Sequence, residues 1–152
     1  MNTKENKQHQ ETLQRIYAAF AALLQDQDLN KISVAELCEM ANIERSTFYA
    51  NYKTISALAN RYAAEIEKQV VAQPHDEGEF AWIFEYILEN KELFRIYFKL
   101  GISKKTADYK TIFFRKGAYS VAKLWLEDGC IDSPQKLGDI LKREYEKLFY
   151  NA

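Results

Sequence analysis

The residues best suited to chemistry sit in one short run, Arg45-Ser46-Thr47-Phe48-Tyr49-Ala50-Asn51-Tyr52-Lys53. The chemistry they offer is recognition by hydrogen bonding. An arginine guanidinium can donate two parallel bonds to guanine, and an asparagine amide matches adenine in the same way. Phe48 and Tyr52 are four residues apart and share one face if the run is helical. That leaves Arg45, Ser46, Thr47, Tyr49, Ala50, Asn51 and Lys53 pointing away from the core. Arg45 falls in the first turn, where a helix inserted in a major groove meets base edges. The plainer alternatives are a solvated surface arginine and an ordinary asparagine near a helix end.

Little else in the sequence suggests a reaction. His9 and His75 are isolated, and Cys38 and Cys130 are far apart without metal-ligand spacing. There is no glycine-rich phosphate loop and no nucleophile paired with a base. The reading is therefore of a protein that is not an enzyme and needs no cofactor or metal. Cys38 falls on the inner side of a helix, as a small buried thiol. Cys130 follows Gly129 in a turn.

The run from Arg45 has to be positioned by what precedes it. Leu13, Ile16, Tyr17, Phe20, Leu23 and Leu24 recur at helical spacing and predict a helix from Thr12, after ten polar, frayed residues. Ser33 with Glu36 three residues on forms a capping-box pattern for a second helix. Val34, Leu37, Cys38 and Ala41 form its inner face. Asn42 then stands where the chain must turn, and asparagine tolerates the left-handed conformation such a turn requires. Ile43 is expected to plug the core, and a third helix runs from Arg45 to Tyr52. Two short helices around a three-residue break have the form of a helix-turn-helix.

A long amphipathic helix is expected over Ile55–Ala72, stopped at Gln73-Pro74, with His75-Asp76-Glu77-Gly78 as a polar break and the best boundary signal in the chain. Further helices follow: one with Phe80, Ile83, Phe84, Ile87 and Leu88, one ending at Gly101, and one spanning about Thr106–Glu127. The last opens at Ser133-Pro134 and carries Leu137, Ile140, Leu141, Glu144, Tyr145 and Leu148 on one stripe. The expected fold is all-α with about eight helices. Residues 10–54 would be a three-helix, helix-turn-helix DNA-binding domain, and 55–152 a helical-bundle regulatory and dimerisation domain.

The chain has 152 residues, is 47% hydrophobic and carries a formal net charge of −1, which suits a globular helical protein rather than a disordered one. The start MNTKENKQHQETLQ is too polar for a signal peptide and no run reaches membrane-span length, so a cytoplasmic location is expected. Within residues 1–61 seven basic residues balance seven acidic ones. Strong non-specific binding to nucleic acid, driven by counterion release, is therefore not expected. A specific binder needs only a few well-placed contacts.

Residues 12–70 resemble the N-terminal domain of the TetR/AcrR family of transcriptional regulators. The family turn corresponds to Asn42-Ile43-Glu44, with Asn42 in place of the usual Gly. Its recognition helix corresponds to Thr47-Phe48-Tyr49-Ala50-Asn51-Tyr52. Ile55 stands where many members carry a lysine that reaches a phosphate, and Lys53 is close by. Gly117, Trp125 and Leu126-Glu127-Asp128-Gly129 resemble a shortened C-terminal domain of the same family.

The resemblance implies a homodimer on double-stranded DNA at a palindromic operator, most often as a repressor. Thr47 and Tyr49 would anchor phosphates, and Ser33 could hold another at the start of the second helix. It also implies an inducer pocket, for which Tyr86, Tyr97, Phe98, Tyr109, Phe113 and Trp125 are the candidates; the alternative is that these aromatics are plain bundle core. The last two helices would pair with those of a second copy, unless their stripes face the chain's own core. Two other functions stay open: an adaptor or co-activator whose C-terminal domain binds a protein co-regulator instead of a small-molecule effector, and a TetR-like chain that does not bind DNA.

Overall fold

The computed structural model describes residues 3–76, 79–101 and 108–150. They form eight α-helices, α1 (Thr3–Asp26), α2 (Val34–Ala41), α3 (Arg45–Asn51), α4 (Ile55–Val71), α5 (Ala81–Glu89), α6 (Lys91–Leu100), α7 (Tyr109–Glu127) and α8 (Pro134–Phe149). A short 3₁₀ turn lies at Leu29–Lys31. No strand occurs among the described residues, so the fold is all-α. No helix among them is long and apolar enough to cross a membrane.

The chain forms two compact units, residues 1–63 and 64–152. The units divide within α4, between Ala63 and Ala64. A hydrophobic pattern marks a helix but not which of its turns packs with which neighbours. The polar break at residues 75–78 is internal to the second unit, and Glu77 and Gly78 lie outside the described residues.

In the first unit, α1 begins at Thr3 and not at Thr12. The polar run is rich in Lys, Glu and Gln, all good helix formers, so it extends the helix instead of fraying. Ile16, Phe20, Leu23 and Leu24 of α1 are buried with Leu37, Cys38 and Ala41 of α2, Phe48 of α3 and Leu58 of α4. The Ser33 hydroxyl accepts from the Glu36 N–H at 3.2 Å and caps α2. The expected capping box is not reciprocal: the Glu36 carboxylate accepts from the Gln27 amide at 2.7 Å.

In the second unit, Phe84, Ile87, Phe94, Trp125, Leu137 and Leu141 belong to one core cluster. Asp108 begins α7 by accepting from the Thr111 N–H at 3.0 Å and from its hydroxyl at 2.6 Å. These two bonds hold the Asp108 carboxyl below its usual range. The expected start at Thr106 lies outside the described residues. At the other end of α7, the Trp125 indole N–H donates to the Asp132 carbonyl at 2.8 Å and ties the turn after it.

Ser133 caps α8, with Pro134 at its first position, where a missing N–H costs nothing. The α8 stripe turns inward: Leu137 and Leu141 are buried and Ile140, Tyr145 and Leu148 are partly so, while Glu144 is exposed. The residue that lets α8 approach α5 is Gly138. A Cβ there would lie 2.5 Å from the backbone nitrogen of Ala81 and 2.6 Å from its Cα.

Candidate functional site

The first candidate site is built around α3. Asn42 adopts the left-handed conformation, φ 51° and ψ 56°. Its N–H donates to the Glu39 carbonyl at 3.1 Å and the Ile43 N–H to the Cys38 carbonyl at 3.0 Å, which closes α2 in a Schellman motif. From α1, Arg15 donates to the Asn42 carbonyl at 3.2 Å and holds the turn from outside. Ile43 is only half-buried, so it is a partial plug.

Two aromatics fix α3 to the core. Phe48 is fully buried, and Tyr52, which ends the helix, is 8% exposed. The Tyr52 hydroxyl donates to that of Tyr17 on α1 at 3.3 Å. With that face held, Arg45, Ser46, Tyr49, Ala50 and Lys53 are exposed. Tyr49 packs its ring edge-on to Phe48, with centroids 5.4 Å apart, yet remains 57% exposed.

Thr47 and Asn51 differ from these. Both are half-buried, and the Asn51 amide donates to the Thr47 carbonyl one turn back at 2.8 Å. In this conformation the Asn51 donor is turned into its own helix, and an adenine contact would require it to swing out. Ser33 is exposed but committed to its cap. Beside α3 lies an open, polar groove of about 470 Å³, lined by Gln8, Thr12 and Arg15 of α1 together with Asn42, Thr47 and Asn51. Gln8 of that wall escapes the sequence reading, which starts the helix only at Thr12. So does Thr54, which caps α4 by accepting from the Ala57 N–H at 3.1 Å.

The second candidate site is an apolar pocket of about 540 Å³ in the second unit, among α4, α5, α6, α7 and α8. Its apolar walls include Phe80, Ile83, Phe94, Phe98, Phe114 and Ala118. Polar groups gather on one side. The Glu67 carboxylate accepts from the Tyr97 hydroxyl at 3.0 Å, and its other oxygen lies 3.5 Å from the Arg115 guanidinium. Burial and the neighbouring Glu67 charge push the Tyr97 hydroxyl pKa well above its usual value. Tyr119 donates to the Phe98 carbonyl at 2.8 Å.

Of the six aromatics expected in such a pocket, only Tyr97 and Phe98 line it. Tyr109 and Phe113 are instead 91% and 69% exposed on α7. Trp125 is buried in the core, edge-on to Phe84 with centroids 5.3 Å apart. Tyr86 packs edge-on to Phe94. A helical repeat of aromatics gives their phase along one helix, but not which side of that helix the neighbours occupy. The missed lining residues Glu67, Lys68 and Arg115 read as solvated charges, since no periodicity distinguishes a charge at a pocket from one on an outer face.

No protein-family model matches the chain, and no curated protein matches it at a significant level.

Proposed function

We propose that this chain is a transcriptional regulator of the TetR/AcrR type, binding a palindromic operator as a homodimer and acting by repression. In this reading residues of the first unit form a helix-turn-helix, with α3 as the recognition helix in the major groove and one copy of α3 per half-site. The observation that carries it is the division of α3: two aromatics in the core, and Arg45, Ser46, Tyr49, Ala50 and Lys53 on the open face.

The roles follow from chemistry. Arg45 reads a base edge, while Tyr49, Ser46 and Lys53 set the register on phosphates. Thr47 backs them from its half-buried position. Ser33 contributes through the order it gives to α2. Lys53 takes the task of the cation absent at Ile55. With charges balanced in the N-terminal part, affinity depends on these few contacts and not on a broad basic surface.

Dimerisation falls to the last two helices. Tyr109, Phe113 and Leu124 are exposed on α7, and their spacing puts them on one side of that helix. α8 turns its apolar stripe inward, so α7 would supply the apolar part of the contact. The same exposed face favours a second reading, an adaptor that offers it to a protein co-regulator. The mass of the purified particle separates the two: a dimer covers that face with a second copy, and a monomer leaves it for another protein.

The test of DNA binding is a salt titration on fragments from the neighbourhood of the gene. One fragment should bind tightly, with affinity falling as salt rises, and Arg45→Ala should cost about 1–3 kcal/mol on it while leaving non-specific binding nearly unchanged. Equal binding of all fragments, unaffected by Arg45→Ala, would remove α3 from the mechanism.

A further inference from the structure

We propose that the first turns of α1 carry a second contact to DNA: Gln8, His9 and Arg15, with Thr47 and Asn51 of α3, take one phosphate of the strand that borders the major groove beside α3. The inference rests on α3 as the recognition helix and adds a wall that the reading above leaves unused.

Helix α1 is longer than its core requires. Its buried side chains begin at Ile16, whereas every residue from Asn6 to Glu11 is exposed. That run is polar on all sides, so burial does not account for it, and good helix formers keep it helical. It does not project into empty solvent. Gln8 and His9 line the same open groove of about 470 Å³ as Thr47 and Asn51. The extra turns of α1 therefore stand beside α3.

The position of the groove selects its occupant. A helix with its side chains is about 10–12 Å across and the major groove about 12 Å wide, so a phosphodiester strand runs close along each side of an inserted helix. Phe48 and Tyr52 hold one face of α3 to the core, and Ser46, Ala50 and Lys53 are exposed opposite them. Helical phase puts Thr47 and Asn51 on the flank between these faces, where backbone and not base edges would pass.

The chemistry of the groove fits a single phosphate. Its formal charges, Arg15 and Glu44, cancel, so it offers a placed contact instead of a basic track. Donors remain open along it. Arg15 spends one N–H on the Asn42 carbonyl, and a guanidinium has five. Asn51 spends one of its two amide N–H groups on the Thr47 carbonyl. The Gln8 amide and the His9 ring have no hydrogen-bond partner among the described residues. Uncharged donors of this kind fix the register of a protein on the duplex, here the register in which Arg45 meets its base.

The test uses the full chain and a synthetic duplex carrying the sequence that the chain enriches from a random pool. Gln8→Glu with His9→Glu turns two carboxylates toward the phosphate, and glutamate in the first turns of a helix favours folding. Affinity should fall by about tenfold or more. Gln10→Glu with Gln14→Glu adds the same charge to exposed positions of α1 that do not line the groove, and should bind much as the unchanged chain does.

Phosphates of the duplex are then replaced one at a time by uncharged methylphosphonate. At the contacted position the replacement should weaken the unchanged chain and strengthen the Gln8→Glu, His9→Glu variant, whose carboxylates no longer meet a charge. Equal affinities of the two double variants, or no position at which the replacement acts with opposite sign, would overturn the α1 contact and leave the role of α3 standing. A pool that yields no enriched sequence would remove α3 as a recognition helix, and this contact with it.

Discussion

The two units use similar apolar side chains to opposite ends. In the first, the core is filled by Ile16, Phe20, Leu24, Leu37, Phe48 and Leu58, each essentially fully buried, and the side chains available for recognition stand outside it on a seven-residue helix. In the second, a core around Phe84, Ile87 and Trp125 adjoins an apolar space of about 540 Å³. A filled core with a fixed outer face suits a ligand larger than the domain, such as a duplex. An open interior suits a ligand small enough to enter. The difference lies in where packing stops, not in how hydrophobic each sequence is.

The largest expected effect breaks the first unit alone. Phe48→Ala removes a fully buried ring and should cost about 3–5 kcal/mol. Both tryptophans, Trp82 and Trp125, belong to the second unit. Tryptophan emission should therefore keep its native unfolding profile while the far-ultraviolet circular dichroism signal acquires an early transition. Loss of both signals together at the lower transition would show that the units do not unfold separately.

Gly138→Ala makes the converse test. The added Cβ would collide with the Ala81 backbone, which cannot rotate away, at a cost of about 1–3 kcal/mol. Here tryptophan emission should shift to lower denaturant concentration, with the transition of the first unit left unchanged.

A smaller effect belongs to the turn before α3. Asn42→Ala should cost about 1 kcal/mol through its left-handed backbone, and Asn42→Gly should be neutral or stabilising. Equal stability of the two variants in chemical denaturation would mean that the turn does not hold this conformation in solution.

The smallest effect sharpens the description of the pocket through pH. The Tyr97 pKa is raised in the folded state from an ordinary value of 10.0. Stability linked to it is fully present below that value and is lost as pH rises above it, because the unfolded chain releases the proton first. Tyr97→Phe should flatten the alkaline fall in tryptophan-monitored stability. A fall of the same steepness in both proteins would assign it to other groups.

Much of the architecture is legible in the sequence because its signals are local. Ser33 and Ser133-Pro134 mark helix starts within one turn of chain, and Asn42 and Gly101 mark stops, the latter with φ 78°. The inner faces of α2 and α3 follow from period alone. What escapes depends on distant partners. Tyr109 and Phe113 have the spacing of core aromatics but face out, and nothing within α7 decides that. Glu67 acquires its role from Tyr97 and Arg115, on two other helices. Helical phase places the Asn51 amide on the outer face, yet it bonds to its own helix.

The close approach of Gly138 to Ala81 also bears on the order in which the chain folds. Helices α1, α2 and α3 follow one another directly, so the first unit closes through short loops. The α5–α8 pairing joins opposite ends of the second unit's sequence and must first bear the entropy of a long closure. During synthesis the first unit can be complete while α8 is still within the ribosome. The pocket, which needs Leu141 of α8 as part of its wall, would then be among the last parts of the molecule to form.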